Sequence, residues 1–162
     1  MIRDWNDYEF CLEAVKRNGL ALQWVKEQTP EICLQAVKRT GHAPRFVNNQ
    51  THEMCLEAVK QNGYALRFVI HQTPELCLEA VKNDGYSLEY VINQTPEICL
   101  EAVKRHGLAL EYVKEQTPLI IHYLKKYHIS IYESLKKVNR ITIPDNEMVE
   151  FDEENPHLLL TL

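Results

Sequence analysis

A pattern of 22 residues recurs along this chain with its polar and apolar places in register, and no other feature limits the available folds as much. Its clearest copy runs from Gln94 to Glu115, and the preceding copy, Gln72 to Asn93, agrees with it at 15 of 22 places. Further copies run from Gln50 to His71 and from Gln28 to Asn49, with a drifted first copy from Asn6 to Glu27. A unit of this size cannot bury its own apolar face and must stack on its neighbours, which is the logic of a solenoid. The expected fold is all-α: a right-handed α-solenoid of about five 22-residue two-helix repeats with a C-terminal capping unit and a tail. The chain divides accordingly into an N-terminal lid (1–5), five repeats (6–115), capping helices (116–140) and an acidic, then apolar, tail (141–162).

Each repeat carries its own start and stop signals. Thr29, Thr73, Thr95 and Thr117 precede Pro, and Thr-Pro opens a helix because the hydroxyl accepts from a free amide while Pro suits the first turn. In the first copy Asp7 and Tyr8 replace this pair. The helix is expected to run about eleven residues to Gly19, Gly41, Gly63, Gly85 or Gly107, where glycine would take the left-handed conformation that ends a helix. In the fifth copy Ile98, Cys99, Ala102 and Val103 share one helical face. A second, shorter helix, Leu108 to Glu115, is expected to bury Ala109, Leu110, Tyr112 and Val113. Trp24, Phe46, Phe68 and Tyr90 occupy the place of Tyr112, so the aromatic stripe reads as core. Pro44 replaces Leu in the second copy and delays its second helix.

The cysteines constrain the environment. Cys11, Cys33, Cys55, Cys77 and Cys99 recur every 22 residues, one rung per repeat. Stacked helices lie about 8–10 Å apart, whereas a disulfide needs Cα atoms about 4.4–6.8 Å apart. They read as small buried hydrophobes in a reducing compartment, with no metal and no cofactor. Gln28, Gln50, Gln72, Gln94 and Gln116 stand where the chain passes between repeats; an amide that both donates and accepts suits the unpaired backbone there. Glu13 with Lys16, Glu57 with Lys60, Glu79 with Lys82, and Glu101 with Lys104 have the i, i+3 spacing of solvated surface pairs.

The ends differ from the body. Trp5 stands where a preceding repeat would have covered the core. After Thr117-Pro118 the apolar face continues, but Ile129 replaces the glycine, and Lys125, Lys126, Lys136 and Lys137 read as the wet side of a terminal cap. Six of the 23 acids and none of the 18 bases fall in 141–162, which leaves the body at +1. A body of intermixed charge has no phosphate-tracking groove, so nucleic acid is not the expected partner. No apolar run approaches the roughly 18 residues that cross a bilayer; a soluble, cytoplasmic protein without membrane partners is expected. Leu158, Leu159, Leu160 and Leu162 close the tail and are candidate oligomerisation residues for a homodimer.

At the segments Leu56 to Val69 and Leu100 to Val113, and over roughly residues 6–120, the chain resembles a family of short repeats of unknown function with an AVKxNGxALxYV core. The resemblance implies an α-solenoid and a setting in amoeba-infecting giant viruses, their satellite viruses or amoeba-associated bacteria, in a host cytoplasm or virus particle. It supplies no catalytic residue.

Between copies the frame is held and the variation gathers at His42, Arg45, Tyr64, Arg67, Tyr86, Glu89 and Glu111. Such diversification on a constant scaffold suits a non-enzymatic repeat protein that acts as a protein–protein interaction scaffold. The alternative is a nucleic-acid-binding repeat protein. Catalysis is not expected: no one repeat position is common to the seven histidines, and there is no glycine-rich phosphate loop.

Overall fold

The computed structural model describes residues 4–143. Among the described residues five pairs of α-helix and 3-10 helix are followed by two α-helices, and there is no strand. The α-helices are α1 (Tyr8–Arg17), α2 (Pro30–Arg39), α3 (His52–Gln61), α4 (Pro74–Asn83), α5 (Pro96–Arg105), α6 (Pro118–Tyr127) and α7 (Ile129–Lys137). The 3-10 helices are η1 (Gly19–Trp24), η2 (Ala43–Phe46), η3 (Gly63–Phe68), η4 (Gly85–Tyr90) and η5 (Gly107–Tyr112). Each α-helix packs on the next in sequence order, and each 3-10 helix packs on the next. Two parallel layers result, with the core between them: an α-solenoid.

Every α-helix from α2 to α6 opens on a Thr whose Oγ1 accepts the N–H three residues on at 3.3–3.4 Å. Asp7 does the same for α1, accepting from Phe10 N–H at 2.7 Å. Thr51 caps α3 although His52, not Pro, follows it. The inward face of α5 is Ile98, Cys99, Ala102 and Val103, all buried, and α2, α3 and α4 bury the equivalent places; in α1 Phe10 and Ala14 are half-buried. Of the four expected Glu–Lys pairs, two are formed, Lys16 with Glu13 at 3.2 Å and Lys104 with Glu101 at 2.7 Å.

The turn between the two layers is not the one expected. No glycine has positive φ; the residue before it is extended instead, with φ between −141° and −154° at Thr40, Asn62, Asp84 and His106. That residue ends one helix and starts the other. Asn62, for example, donates its N–H to Ala58 O at 2.9 Å, and its side chain accepts from Tyr64 N–H at 3.1 Å. The glycine serves a different need. A Cβ on Gly19, Gly63 or Gly85 would lie 2.3–2.5 Å from the carbonyl oxygen of Ala36, Ala80 or Ala102 in the next repeat. Only a residue without a side chain lets the layers approach this closely.

The second element is a 3-10 helix rather than an α-helix. At about 2.0 Å rise per residue its six residues span about 12 Å, against about 15 Å for the ten-residue α-helix beside it. Two layers of similar length are thus made from fewer residues. In η2 the helix begins only at Ala43, because Pro44 lacks the N–H that a 3-10 bond to Gly41 would use.

Two hydrogen-bond ladders run along the stack, one closing each repeat on itself and one joining successive repeats. The first is the glutamine ladder. Gln72 Nε2 donates to Tyr90 O at 2.9 Å, and its Oε1 accepts from Ile92 N–H at 3.1 Å; Gln28, Gln50 and Gln94 repeat the pattern in their own units. The second reaches back from the ends of α2, α3 and α4. Arg39 Nε donates to Arg17 O at 3.2 Å, Gln61 Nε2 to Val37 O at 3.0 Å, and Asn83 Nδ2 to Lys60 O at 2.8 Å.

At the C-terminal end α7 replaces a 3-10 helix with a nine-residue α-helix. Ile129, in the glycine place, is exposed. Gln116 still finds its partners, Arg140 O at 2.7 Å and Thr142 N–H at 3.0 Å. At the other end Trp5 packs edge-to-face on Phe10 at 5.1 Å. A groove of about 620 Å³ stays open between Trp5 and Trp24. No helix among the described residues is long and apolar enough to cross a membrane.

Candidate interaction face

The three-residue turn of the 3-10 helix sorts side chains into three lines. In η3, Gly63 and Leu66 form a buried line that Val69 extends, and Tyr64 with Arg67 form a line facing outward. Ala65 and Phe68 lie between, the first buried and the second only half-buried. Repeating this through η1 to η5 builds a face of aromatic and charged groups, one set per repeat.

This overturns the reading of the aromatic stripe as core. Trp24 is 58% exposed and Tyr112 36%, while Phe46, Phe68 and Tyr90 are half-buried. A period of 3.6 groups the aromatic place with Leu and Val; a period of 3.0 moves it to the flank of the buried line. The missed signal lay in the short spacing from Gly to the aromatic, five residues in every copy, which fits two turns of a 3-10 helix.

All seven diversified residues fall on this layer, and ring contacts join several of them across repeats. The His42 ring lies 6.1 Å from Phe68, and Tyr64 meets Tyr90 edge-to-face at 5.9 Å. Tyr86 stacks on His106 at 4.7 Å with the planes only 10° apart, and meets Tyr112 edge-to-face at 6.4 Å. The Arg45 guanidinium lies 4.9 Å from the Phe46 ring centroid and 5.7 Å from Phe68. Arg67 repeats this one rung on, 5.0 Å from Phe68 and 5.6 Å from Tyr90. Glu89 and Glu111, at the same place in η4 and η5, are exposed. Rings and guanidinium groups therefore alternate from Phe46 to Tyr90, and the next two rungs are acidic.

The electrostatics fit a stable donor surface. Burial first, then the Asp84 carboxylate, pushes the Tyr64 phenol up. Burial and a hydrogen bond with Glu89 push Tyr90 up as well. Both phenols stay neutral near pH 7 and keep a hydroxyl proton to donate. Asp84 is held from two sides, accepting from Tyr86 N–H at 2.9 Å and lying 3.2 Å from His106 Nδ1.

The cysteine rungs point the other way, into the core. All five are buried and free. Cys33, Cys55, Cys77 and Cys99 direct Sγ at the Oε1 of the glutamine five residues earlier, at 3.4–3.6 Å. Burial raises every thiol, that of Cys99 to about 11. The hollows beside Cys33 and Cys99 measure about 180 and 170 Å³, below the roughly 300 Å³ at which ligand sites begin. The lysines of the cap gather on aromatic rings, Lys125 and Lys136 at 5.8 and 5.7 Å from Tyr132 and Lys126 at 5.2 Å from Tyr127. Leu158, Leu159, Leu160 and Leu162, expected to mediate a homodimer, lie outside the described residues.

A family model described as a domain of unknown function, DUF4116, matches the chain twice in tandem, over residues 29–72 and 73–117. Each match spans two of the 22-residue repeats, and together they cover more than half of the chain. No curated protein and no solved structure matches it.

Proposed function

Because the chain belongs to the DUF4116 family of tandem repeats, which brings no assigned chemistry, we propose from its own surface that it is a non-enzymatic scaffold binding other proteins through the 3-10 face. The observation that carries this reading is the run of half-exposed rings and arginines from Phe46 to Tyr90. Tyr, Trp and Arg are the side chains most enriched where protein interfaces concentrate their binding energy. They offer large rigid contact area, and here the rings already hold the guanidinium groups in place, so little side-chain freedom is lost on binding. Ile70 and Ile92, just beyond the rings of η3 and η4, are 61% and 60% exposed and add apolar surface to the same two repeats. The viral or amoeba-associated setting implied by the repeat motif is part of this proposal.

The same rings support a second reading, single-stranded nucleic acid stacked on the aromatic places. It is the weaker of the two, since Glu89 and Glu111 occupy half of the charged rungs and the body carries a net +1 only.

Affinity capture with the full chain and with a Phe68→Ser/Tyr90→Ser variant tests the face. Loss of specific partners from the variant supports it, with an unchanged circular dichroism spectrum as the folding control. Identical captured sets reject it. Binding of a labelled oligonucleotide that weakens steeply with salt and disappears in the variant would favour the second reading.

A further inference from the structure

We propose that the partner of the 3-10 face is a second copy of this chain, docked antiparallel about a two-fold axis that passes between η3 and η4. This rests on the reading of that face as protein-binding. One repeat place on the face reads Arg45, Arg67, Glu89, Glu111 in successive units, each 22 residues from the last. All four are exposed, and among the described residues none is in an ion pair. Two positive rungs followed by two negative rungs at even spacing are satisfied at all four places at once under one operation only. A two-fold axis at the middle of the row brings Arg45 opposite the partner's Glu111 and Arg67 opposite the partner's Glu89, and by symmetry the two remaining pairs form as well. Docking the same faces in parallel sets each rung against its own like charge, which is repulsive. Closed two-fold pairing of a single patch with itself is the commonest symmetric arrangement among soluble oligomers.

The apolar groups obey the same axis. Phe68 and Tyr90 follow Arg67 and Glu89 by one residue, so the operation that pairs the charges also sets Phe68 against the partner's Tyr90 at the centre. The charged pairs flank that centre, the usual division of labour in which central rings supply affinity and outer charges supply register. Arg45 and Arg67 are already positioned, each guanidinium carbon lying 4.9–5.7 Å from the centroids of two rings, and a guanidinium can meet a carboxylate with two N–H groups at once.

The test is sedimentation of the full chain with two charge-reversed variants, Arg45→Glu/Arg67→Glu and Glu89→Arg/Glu111→Arg. The expected result is a reversible dimer for the natural sequence and a dissociation constant raised by about a hundredfold or more in either variant alone, as like charges then face each other. An equimolar mixture of the two variants is expected to recover a dimer, since each row is now complementary to the other. Circular dichroism of each variant shows that its fold is intact. A monomeric natural chain, a dimer indifferent to both reversals, or a mixture that stays monomeric overturns the proposal. A monomeric chain whose captured partners are still lost on Phe68→Ser/Tyr90→Ser rejects only the second copy and leaves the protein-binding face standing, whereas identical captured sets reject the face itself.

Discussion

Gly85 lies so close to the backbone of Ala102 that a methyl group on its α-carbon would sit 2.4 Å from the Ala102 carbonyl oxygen. The obstacle is backbone, which cannot swing aside, so the cost of filling this place is overpacking between repeats and not a forbidden dihedral angle. Gly85→Ala is expected to destabilise by about 2–3 kcal/mol, the range of overpacked cores, with Gly63→Ala close behind. Gly41→Ala is expected to be milder, because its nearest neighbours are at 3.0 and 3.2 Å. Urea unfolding of the three variants checks the order; equal, small losses would remove the close approach as the reason for glycine.

Gln72 closes its own repeat and also donates to Leu66 O of the preceding one at 3.4 Å, and its removal can be read out directly. Gln72→Ala leaves Tyr90 O and Ile92 N–H without their side-chain partner and exposes Cys77 Sγ, which lies 3.5 Å from Gln72 Oε1. Loss of a partner by part-buried polar groups costs about 1–3 kcal/mol. A melting temperature below that of the natural chain, together with faster labelling of Cys77 than of Cys33, is the expected pair of results. If both cysteines react at the same rate the amide does not seal this rung.

These two examples show which parts of the molecule were legible in the sequence. The stacking of 22-residue units, the Thr caps and the inward positions such as Ile98, Cys99, Ala102 and Val103 follow from periodicity and local hydrogen-bond chemistry, and they are found as read. What a glycine does when it recurs is not legible in the same way. A turn with positive φ and a close approach between layers both select Gly, and only the separation of Gly85 from Ala102 distinguishes them. The aromatic places failed for a related reason: whether Phe68 lies in the core or beside it depends on a helical period of 3.6 or 3.0, and only the constant five-residue step from Gly63 to Phe68 points to the shorter one. The seven varied residues stood out because they differ between copies, while Trp24, Phe46, Phe68, Tyr90 and Tyr112, aromatic in every copy, were read as core.

The thiols predict an alkaline weakness. For Cys99, burial raises the pKa from the ordinary value of 9.0 to about 11 in the folded chain. An unfolded chain therefore loses this proton at lower pH than the folded one, so stability falls as pH rises across that interval. The contribution is fully present below about pH 9 and is lost by about pH 11. Chemical denaturation from pH 7 upward is expected to show this decline, and Cys99→Ala to show less of it at the cost of lower stability at pH 7. Slow reaction of all five cysteines with a thiol reagent until denaturant is added is the companion result, and rapid labelling of Cys33, Cys55 and Cys77 in the native chain would contradict their burial.

Ser87 is where the sequence departs from its own pattern without a visible return. The other repeats place Ala21, Ala43, Ala65 or Ala109 here, and the Ser87 hydroxyl is fully buried with no hydrogen-bond partner among the described residues. Replacing it with Ala removes an unsatisfied polar atom and changes little else. Ser87→Ala is expected to raise stability by about 1–2 kcal/mol. A neutral or destabilising result would mean the hydroxyl has a partner in solution, such as a water between η4 and Gly63.

The last prediction concerns how the solenoid ends. Gln116 holds the segment after α7 as each earlier glutamine holds the next 3-10 helix, accepting Thr142 N–H at 3.0 Å and Thr142 Oγ1 at 3.1 Å while donating to Arg140 O at 2.7 Å. Ile141 and Ile143 pack against the buried core at the same end. Those few residues therefore finish the stack, and the boundary of the folded unit lies beyond the last helix. A chain ending at Lys137 loses all three hydrogen bonds and both isoleucine contacts, and is expected to melt several degrees below a chain ending at Ile143. Calorimetry on the two chains decides it: equal melting temperatures would show that α7 alone closes the solenoid and that the clamp on Gln116 contributes nothing.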